Sequence, residues 1–369
     1  MSIAKRVLKR TLPPLLKFLL PPRMYDDIFV PEFLNYVNLR MLNMKKTVRC
    51  FRLGFLPFEY LWFDLDRIDP RGYLPTRCNY QKRKINGPYN AILGNKLLFE
   101  RHLEAVLSGV KGVDVAESLG YIEKGHLHSL HADLTSGDLI SVLNLLKRSD
   151  LILKLVSGDG GVGLLCLTLA GGVYYINDKP TGPEELVAFL KGLDNYLIQR
   201  RLIQEGLAGR IFPDSVNTMR IGTMIDPDSG KPFIAYAVHR FGSPKSGFVD
   251  NVGQGGITAK IDIDSGRLSM AHHYSKDGHM EVFEKHPVTS VMIYNQEITG
   301  WQDVKRRILE MASQMPYLKY VGWDFVLSND QLYVLEGNVA PGLGLVQMYD
   351  PMKNFTQAWN FFRHYGYIN

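Results

Sequence analysis

The chain has 369 residues, of which 46% are hydrophobic and 22% charged. That is enough apolar material for two or three modules around a sizeable core, and it excludes a chain disordered over most of its length. The formal charge of +6 points to an anionic partner, whether nucleic acid, an anionic membrane surface or an acidic small molecule, without choosing among them. Cys50, Cys78 and Cys166 are an odd number with neither metal-type nor CxxC spacing, so they indicate neither a disulfide framework nor a zinc site, and a reducing cytoplasm is the expected compartment.

The opening "MSIAKRVLKRTLPPLLKFLLPPRMYDD" sets Lys5, Arg6, Lys9 and Arg10 before a leucine-rich run. Pro13, Pro14, Lys17, Pro21 and Pro22 interrupt that run. It falls short of the ~20 apolar residues of a spanning helix, and no small-residue cleavage site follows. The expectation is a helix packed on its own domain; the competing reading lays this basic segment on the inner face of a membrane. Residues 1–90 read as an N-terminal helical and irregular module. Residues 91–135 read as a linker segment carrying Lys96, with "GNKLLFERHLEAVLSGV" at helical spacing and "GYIEKGHLHSL" strand-like.

Residues 136–210 begin with the helical "GDLISVLNLLKR". They continue as short strands and glycine turns, "LILKLV", "GLLCLTL" and "VYYIND", then a helix from Pro183 and "YLIQRRL". Residues 211–369 carry the strands "NTMRIGTMI", "FIAYAVHRF" and "ITAKIDI", the helix "WQDVKRRILEMASQM", two more strands and a final helix near 351–365. Helices and strands mix without regular βαβ alternation, so the expected class is α+β.

"GDGGVG", Gly158 to Gly163, satisfies GxGxxG. A dinucleotide turn needs a helix directly after it, whereas "LLCLTLAGGVYYIND" reads as strand, turn, strand. The loop is therefore expected to be the tip of a β-hairpin whose backbone N–H groups can approach phosphate oxygens, with Lys154 adding a point charge. No His-Arg-Asp loop or Asp-Phe-Gly of protein kinases is present.

In "GWDFVLSNDQLYVLEGN", residues 322–338, Glu336 and Asn338 share a strand face by the period of two. Asp324 joins them if residues of like parity oppose each other, pairing 327 with 331 or 328 with 332; a slip of one residue sends it to the other face. Two carboxylates and an amide oxygen suit a hard cation such as magnesium. The alternative is that each acid pairs with an arginine. Asn217, Arg220, Arg240 and Asn251, with the Gly255-Gly256 pair, could face an anion. His239, His272, His273 and His279 show no zinc spacing and read as surface or core histidines.

Taken in order, "GNK", "LILKLVSGDGGVG", "LIQRRLIQE", "SVNTMRIGT", "HRFG…VDNVGQGGI" and "VGWDF…VLEGNVAPGLG" resemble the ATP-grasp superfamily, most closely the sugar-transfer-associated ATP-grasp proteins of bacterial surface-polysaccharide gene clusters. The resemblance covers about residues 90–350. It implies an ATP-grasp fold, with residues 136–210 as the lid subdomain and residues 211–369 as the subdomain bearing the metal. It further implies that Lys96 and Lys154 meet the phosphates of ATP, and that Ser157, Gly158, Gly160 and Gly161 form the lid over them. Gln199, Arg201 and Leu202 would lie in the adenine hinge, and Glu205 would reach the ribose. Asp324, Glu336 and Asn338 would hold one or two Mg2+ ions, while Arg240, Arg220 and Asn251 would act on the transferring phosphoryl group. Leu155, where relatives often have proline, and Arg200-Arg201, where an acid is common, depart from the pattern.

The activity so implied is an ATP-dependent carboxylate–amine ligase working through an acyl phosphate. Its partners would be a small-molecule or sugar carboxylate, an amine and polysaccharide-assembly proteins of the capsule type, with no nucleic acid. The alternatives are a kinase of the same fold acting on a hydroxyl, and a non-catalytic nucleotide-binding partner of a glycosyltransferase.

Overall fold

The structure is a computed structural model that describes residues 29–37, 42–81, 84–158, 161, 163–274 and 279–368. The basic opening segment and Gly160 lie outside the described residues. The described residues begin with α1 (Phe29–Tyr36), α2 (Met44–Leu53) and α3 (Pro57–Trp62), which close around Phe29, Phe33, Phe55, Tyr60 and Phe63. It continues through α4 (Thr76–Gln81), α5 (Asn90–Gly94) and α6 (Lys96–Leu107), the last capped by the Asn95 side chain.

Next come β1 (Val113–Val115), β2 (Ser118–Glu123), β3 (His126–Ser129), α7 (Ile140–Leu146), β4 (Leu151–Leu155), β5 (Leu165–Ala170), β6 (Val173–Ile176), β7 (Lys179–Thr181), α8 (Pro183–Lys191) and β8 (Tyr196–Arg200). After α9 (Gly206–Ile211), strands β9 (Met219–Ile225), β10 (Pro232–Phe241), β11 (Ile257–Ile261), β12 (Leu268–Tyr274) and β13 (Met280–Phe283) precede α10 (Trp301–Ser313). The chain then runs through β14 (Tyr320–Ser328) and β15 (Gln331–Asn338) to α11 (Thr356–His364). The class is α+β.

Among the described residues, two sheets organise these strands. The larger has the order β1-β15-β14-β9-β10-β11-β12-β13, the smaller β3-β2-β8-β4-β5-β6-β7. The segment expected as a linker over 91–135 is divided between them. Its helix α6 packs Phe99, Leu103 and Leu107 into the core of the larger sheet. Strand β1 pairs in parallel with β15, while β2 and β3 belong to the smaller sheet. Parallel pairing across more than two hundred residues leaves no local signal in a three-residue strand.

Strand alternation gives the larger sheet two different faces. One carries Met219, Ile221, Phe241, Trp323, Phe325 and Val334 against Trp301, Val304, Ile308 and Met311 of α10. On the other, Met224, Tyr236, Val238 and Tyr320 are covered by Trp359, Phe361 and Phe362 of α11 and by Leu74 and Ile85. That second core stops short of Arg220, Arg240 and Asp324, and the polar residues of "GWDFVL" stand where the apolar cover ends.

Candidate functional site

The paired strands 151–155 and 165–170 form an antiparallel hairpin, with Leu153 opposite Leu165 and the glycine loop at its tip. This is the expected hairpin and not a dinucleotide turn. At its root, Lys96 N donates to Val156 O at 2.8 Å. Lys96 Nζ donates to Gly158 O at 2.5 Å and stands 3.7 Å from Glu336 of the larger sheet. One lysine thus touches both sheets. A Cβ placed on Gly161, whose φ is +72°, would come within 3.5 Å of Gln254 Nε2 across the cleft. The hairpin tip is drawn close to the loop that follows β10.

The register of β14 and β15 decides the acid constellation. At the turn, Ser328 opposes Gln331 and Leu327 opposes Leu332. That is the slipped pairing, which on a regular ladder would put Leu335 opposite Asp324. A bulge at Leu335 corrects it, so that Asp324 opposes Glu336 and Gly322 opposes Asn338. Directly opposed residues share a face, so all three polar residues meet, by a route different from the one parity alone predicts. On the neighbouring strands, Arg220 stands opposite Asp324, Val238 opposite Arg220, and Arg240 one pleat away.

These groups are already bonded to one another. Arg220 donates from Nε and Nη2 to Asp324 at 2.5 and 3.1 Å, and Arg240 Nη2 reaches the same carboxylate at 2.9 Å. Burial opposes ionisation of Asp324, but the two guanidiniums outweigh it and hold the carboxyl well below the usual carboxylate range. Burial and the Asp324 charge push Glu336 up. Burial pulls Lys154 down to about 8, with Glu336 acting in the opposite direction. Lys154 Nζ donates to Leu335 O, the carbonyl of the bulge, at 3.4 Å.

A cleft of about 230 Å3 between the sheets is lined by Lys96, Lys154, Gly158, Gly161, Gln199, Arg201, Leu202, Arg220, Arg240, Asn251, Asp324, Glu336 and Asn338. Most of the expected site residues therefore share one wall-to-wall space, and three stand differently. Ser157 is exposed and outside this lining. Glu205, expected at a ribose, accepts from Asn329 Nδ2 at 2.5 Å and lines a separate cavity behind the sheet. Gln199 lines the cleft but commits its amide N–H groups to protein partners, donating to Ala116 O at 2.6 Å, Ser118 Oγ at 3.1 Å and Glu100 Oε2 at 3.2 Å.

Asn217 is fully buried and structural: its Nδ2 donates to Ala208 O and Phe212 O, and its Oδ1 accepts from Gly242 N. The two arginines of the hinge are engaged elsewhere, Arg200 with Asp133 and Arg201 with Asp150 and Asp214 O. The Arg201 N–H is also bonded, to Asp150 O. Asn251 Oδ1 accepts from Gly253 N at 2.8 Å, closing the turn before Gly255-Gly256.

Sequence reasoning missed Thr218, Asp250 and Glu100. Asp250 accepts from Thr218 N and Oγ1 at 2.7 and 2.6 Å and lies 3.4 Å from Arg240, so it anchors that arginine. The only signal for Thr218 was its parity with Arg220 in "NTMRIG". For Glu100 there was none.

A model of the sugar-transfer-associated ATP-grasp family matches residues 76–357. The chain belongs to that family. This ATP-grasp chain is also similar to several solved structures. It aligns to the D-cycloserine synthetase DcsG at 14% identity over 74% of this chain and 72% of that one, with a TM-score of 0.41. For the D-alanine–D-alanine ligase from Bacillus anthracis the values are 12%, 73%, 70% and 0.34. For the N5-carboxyaminoimidazole ribonucleotide synthetase purK they are 10%, 69%, 46% and 0.38, so this ATP-grasp chain spans under half the length of that synthetase. A search of the curated proteins returned no match. No helix among the described residues is long and apolar enough to cross a membrane.

Proposed function

We propose that this ATP-grasp protein is an ATP-dependent carboxylate–amine ligase that joins an amine to a sugar carboxylate in surface-polysaccharide assembly. The observation that carries the reading is the cleft's charge inventory. Lys96, Lys154, Arg200, Arg201, Arg220 and Arg240 line one partly desolvated space with Asp250, Asp324 and Glu336, six cationic side chains to three carboxylates, an excess of positive charge that suits a triphosphate. No serine, cysteine or histidine nucleophile is needed, because phosphoryl transfer draws on positioning and charge stabilisation.

In the proposed reaction a carboxylate oxygen of the acceptor attacks the γ-phosphorus, the bond to the β-phosphate oxygen breaks, and ADP leaves. The amine nitrogen then attacks the acyl carbon, the carbon–oxygen bond to phosphate breaks, inorganic phosphate leaves and the nitrogen's proton passes to solvent. Lys96 and Lys154 bind the phosphates from the hairpin side. Arg240, held in place by Thr218 and Asp250, meets the charge on the transferring group.

The donor chemistry of the cleft fits a hard divalent cation on Glu336 and on the Oδ1 of Asn338, whose Nδ2 donates to Gly322 O at 3.1 Å. Asp324 joins them only if it releases one of its guanidiniums; otherwise it serves to orient both arginines. Magnesium, when bound, would neutralise phosphate charge. Phosphate release from ATP tests the reading. A ligase releases phosphate only when acid and amine are both supplied. A phosphate ester on a hydroxyl, formed without an amine and stable to hydroxylamine as an acyl phosphate is not, would establish the kinase of the same fold instead, and nucleotide binding without any turnover would establish a non-catalytic partner.

A further inference from the structure

The N-terminal helices carry a surface that the cleft does not use. Helix α2 buries Thr47 and Cys50, and its opposite side repeats at three- and four-residue spacing as Met44, Lys45, Val48, Arg49 and Arg52. Met44 is 62% and Val48 41% exposed. The turn that follows α3 is brought alongside by Asp66, which accepts from Lys46 Nζ at 2.5 Å and stands 3.9 Å from Arg49. That turn adds Ile68, 44% exposed, and Arg67. Asp66 and Asp64 on this side are engaged by Lys46 and Arg67, whereas Lys45 and Arg52 enter no ion pair among the described residues. The surface therefore presents an excess of positive charge with three apolar side chains set between the cations.

We infer that this face of α2 and the adjoining turn dock the protein on an anionic lipid surface. The mixture of side chains selects the occupant. Lysine and arginine stems reach phosphate headgroups while Met44, Val48 and Ile68 enter the boundary of the acyl chains, the combination found in helices that lie in a bilayer interface. A soluble polyanion would engage the cations and leave the apolar side chains in water. Met44 and Val48 adjoin one another at i,i+4, but Lys45, Arg49 and Arg52 flank the pair, whereas the core of a protein interface is depleted of charge. Basic residues beside apolar ones also occur in the sequence ahead of α1, at Lys5, Arg6, Lys9 and Arg10 and the leucine-rich run that follows.

The test is sedimentation of the full chain with vesicles of phosphatidylglycerol in phosphatidylcholine, against vesicles of phosphatidylcholine alone. The wild type is expected to pellet with the anionic vesicles only. Lys45→Glu, Arg49→Glu and Arg52→Glu together are expected to weaken partitioning by roughly 100-fold or more, since each basic residue near such a surface contributes several-fold. Met44→Gln with Val48→Gln is expected to weaken it further than charge screening explains, with dextran sulfate binding unchanged. All these positions are solvent-facing, and an unchanged melting temperature verifies the fold. Equal pelleting of the triple variant and wild type would overturn the assignment, as would a Met44→Gln, Val48→Gln variant that binds vesicles like wild type.

Discussion

At the scale of single residues, the larger sheet sorts its polar groups by face. Arg240 and His239 are neighbours on β10, yet one looks into the cleft and the other into the apolar layer behind it. His239 is 4% exposed and stacks on Phe241, with ring centroids 4.3 Å apart and planes 9° apart. Burial lowers its pKa from the ordinary 6.5 to about 4, so the folded protein holds a neutral imidazole. The sign follows. Above the unfolded pKa both states are neutral and the full stability is present. As the pH falls through 6.5 the unfolded chain takes up a proton that the folded one refuses, and stability is lost down to about 4. The loss is roughly 3 kcal/mol at 1.36 kcal/mol per pH unit. Denaturant unfolding across this window should show the wild type losing that much more than a His239→Phe variant. Parallel losses would mean that the imidazole protonates in place.

At the scale of elements, α6 carries the coupling between the sheets. Its first residue, Lys96, touches the glycine hairpin and Glu336, and one turn later Glu100 reaches the smaller sheet. Glu100 is 3% exposed and accepts from Ser118 N at 2.6 Å, Ser118 Oγ at 2.5 Å and Gln199 Nε2 at 3.2 Å. Gln199 leads directly into Arg201 and Leu202 of the cleft wall, so the carboxylate fixes where that wall stands relative to the larger sheet. Glu100→Gln sets an amide against the Gln199 amide and should cost about 1–3 kcal/mol, the penalty of a buried donor left unpaired. The nucleotide KM should rise more than kcat falls, because the wall moves while the arginines stay. A fall in kcat with KM unchanged would place Glu100 in the chemistry instead.

None of this was legible in the sequence. Glu100 sits in a helix whose spacing announces only an amphipathic face, and its partners lie eighteen and ninety-nine residues away. The hairpin of the glycine loop was legible because both its strands are local and apolar. The meeting of Asp324 with Glu336 was legible in outcome and not in route: a two-residue turn at Asn329-Asp330 gives the unfavourable parity, and only the bulge at Leu335 restores it. Bulges leave no periodic trace.

At the scale of the whole molecule, two sheets face one another across a cleft in which cations and carboxylates are interleaved, and binding there should report on the fold as a whole. A ligand bound only by the folded state stabilises it by about 2.7 kcal/mol at roughly 100 times its Kd. ATP with magnesium should therefore raise the melting temperature. ATP with a chelator should raise it less, because the bare triphosphate brings negative charge beside Glu336 and Asp324, and the lysines and arginines of the cleft then offset it without the help of a divalent cation. Glu336→Gln separates the two contributions. Removing that carboxylate relieves the repulsion, so the shift with chelated ATP should increase, while the extra shift from magnesium should disappear with its ligand. On the proposed reading Lys96 and Lys154 would still meet the phosphates in that variant, so nucleotide binding itself should survive and the comparison stays readable. If Glu336→Gln retained the full magnesium increment, the cation would be held elsewhere, and Glu336 would be left with the role its geometry already gives it, as the counter-ion of Lys96.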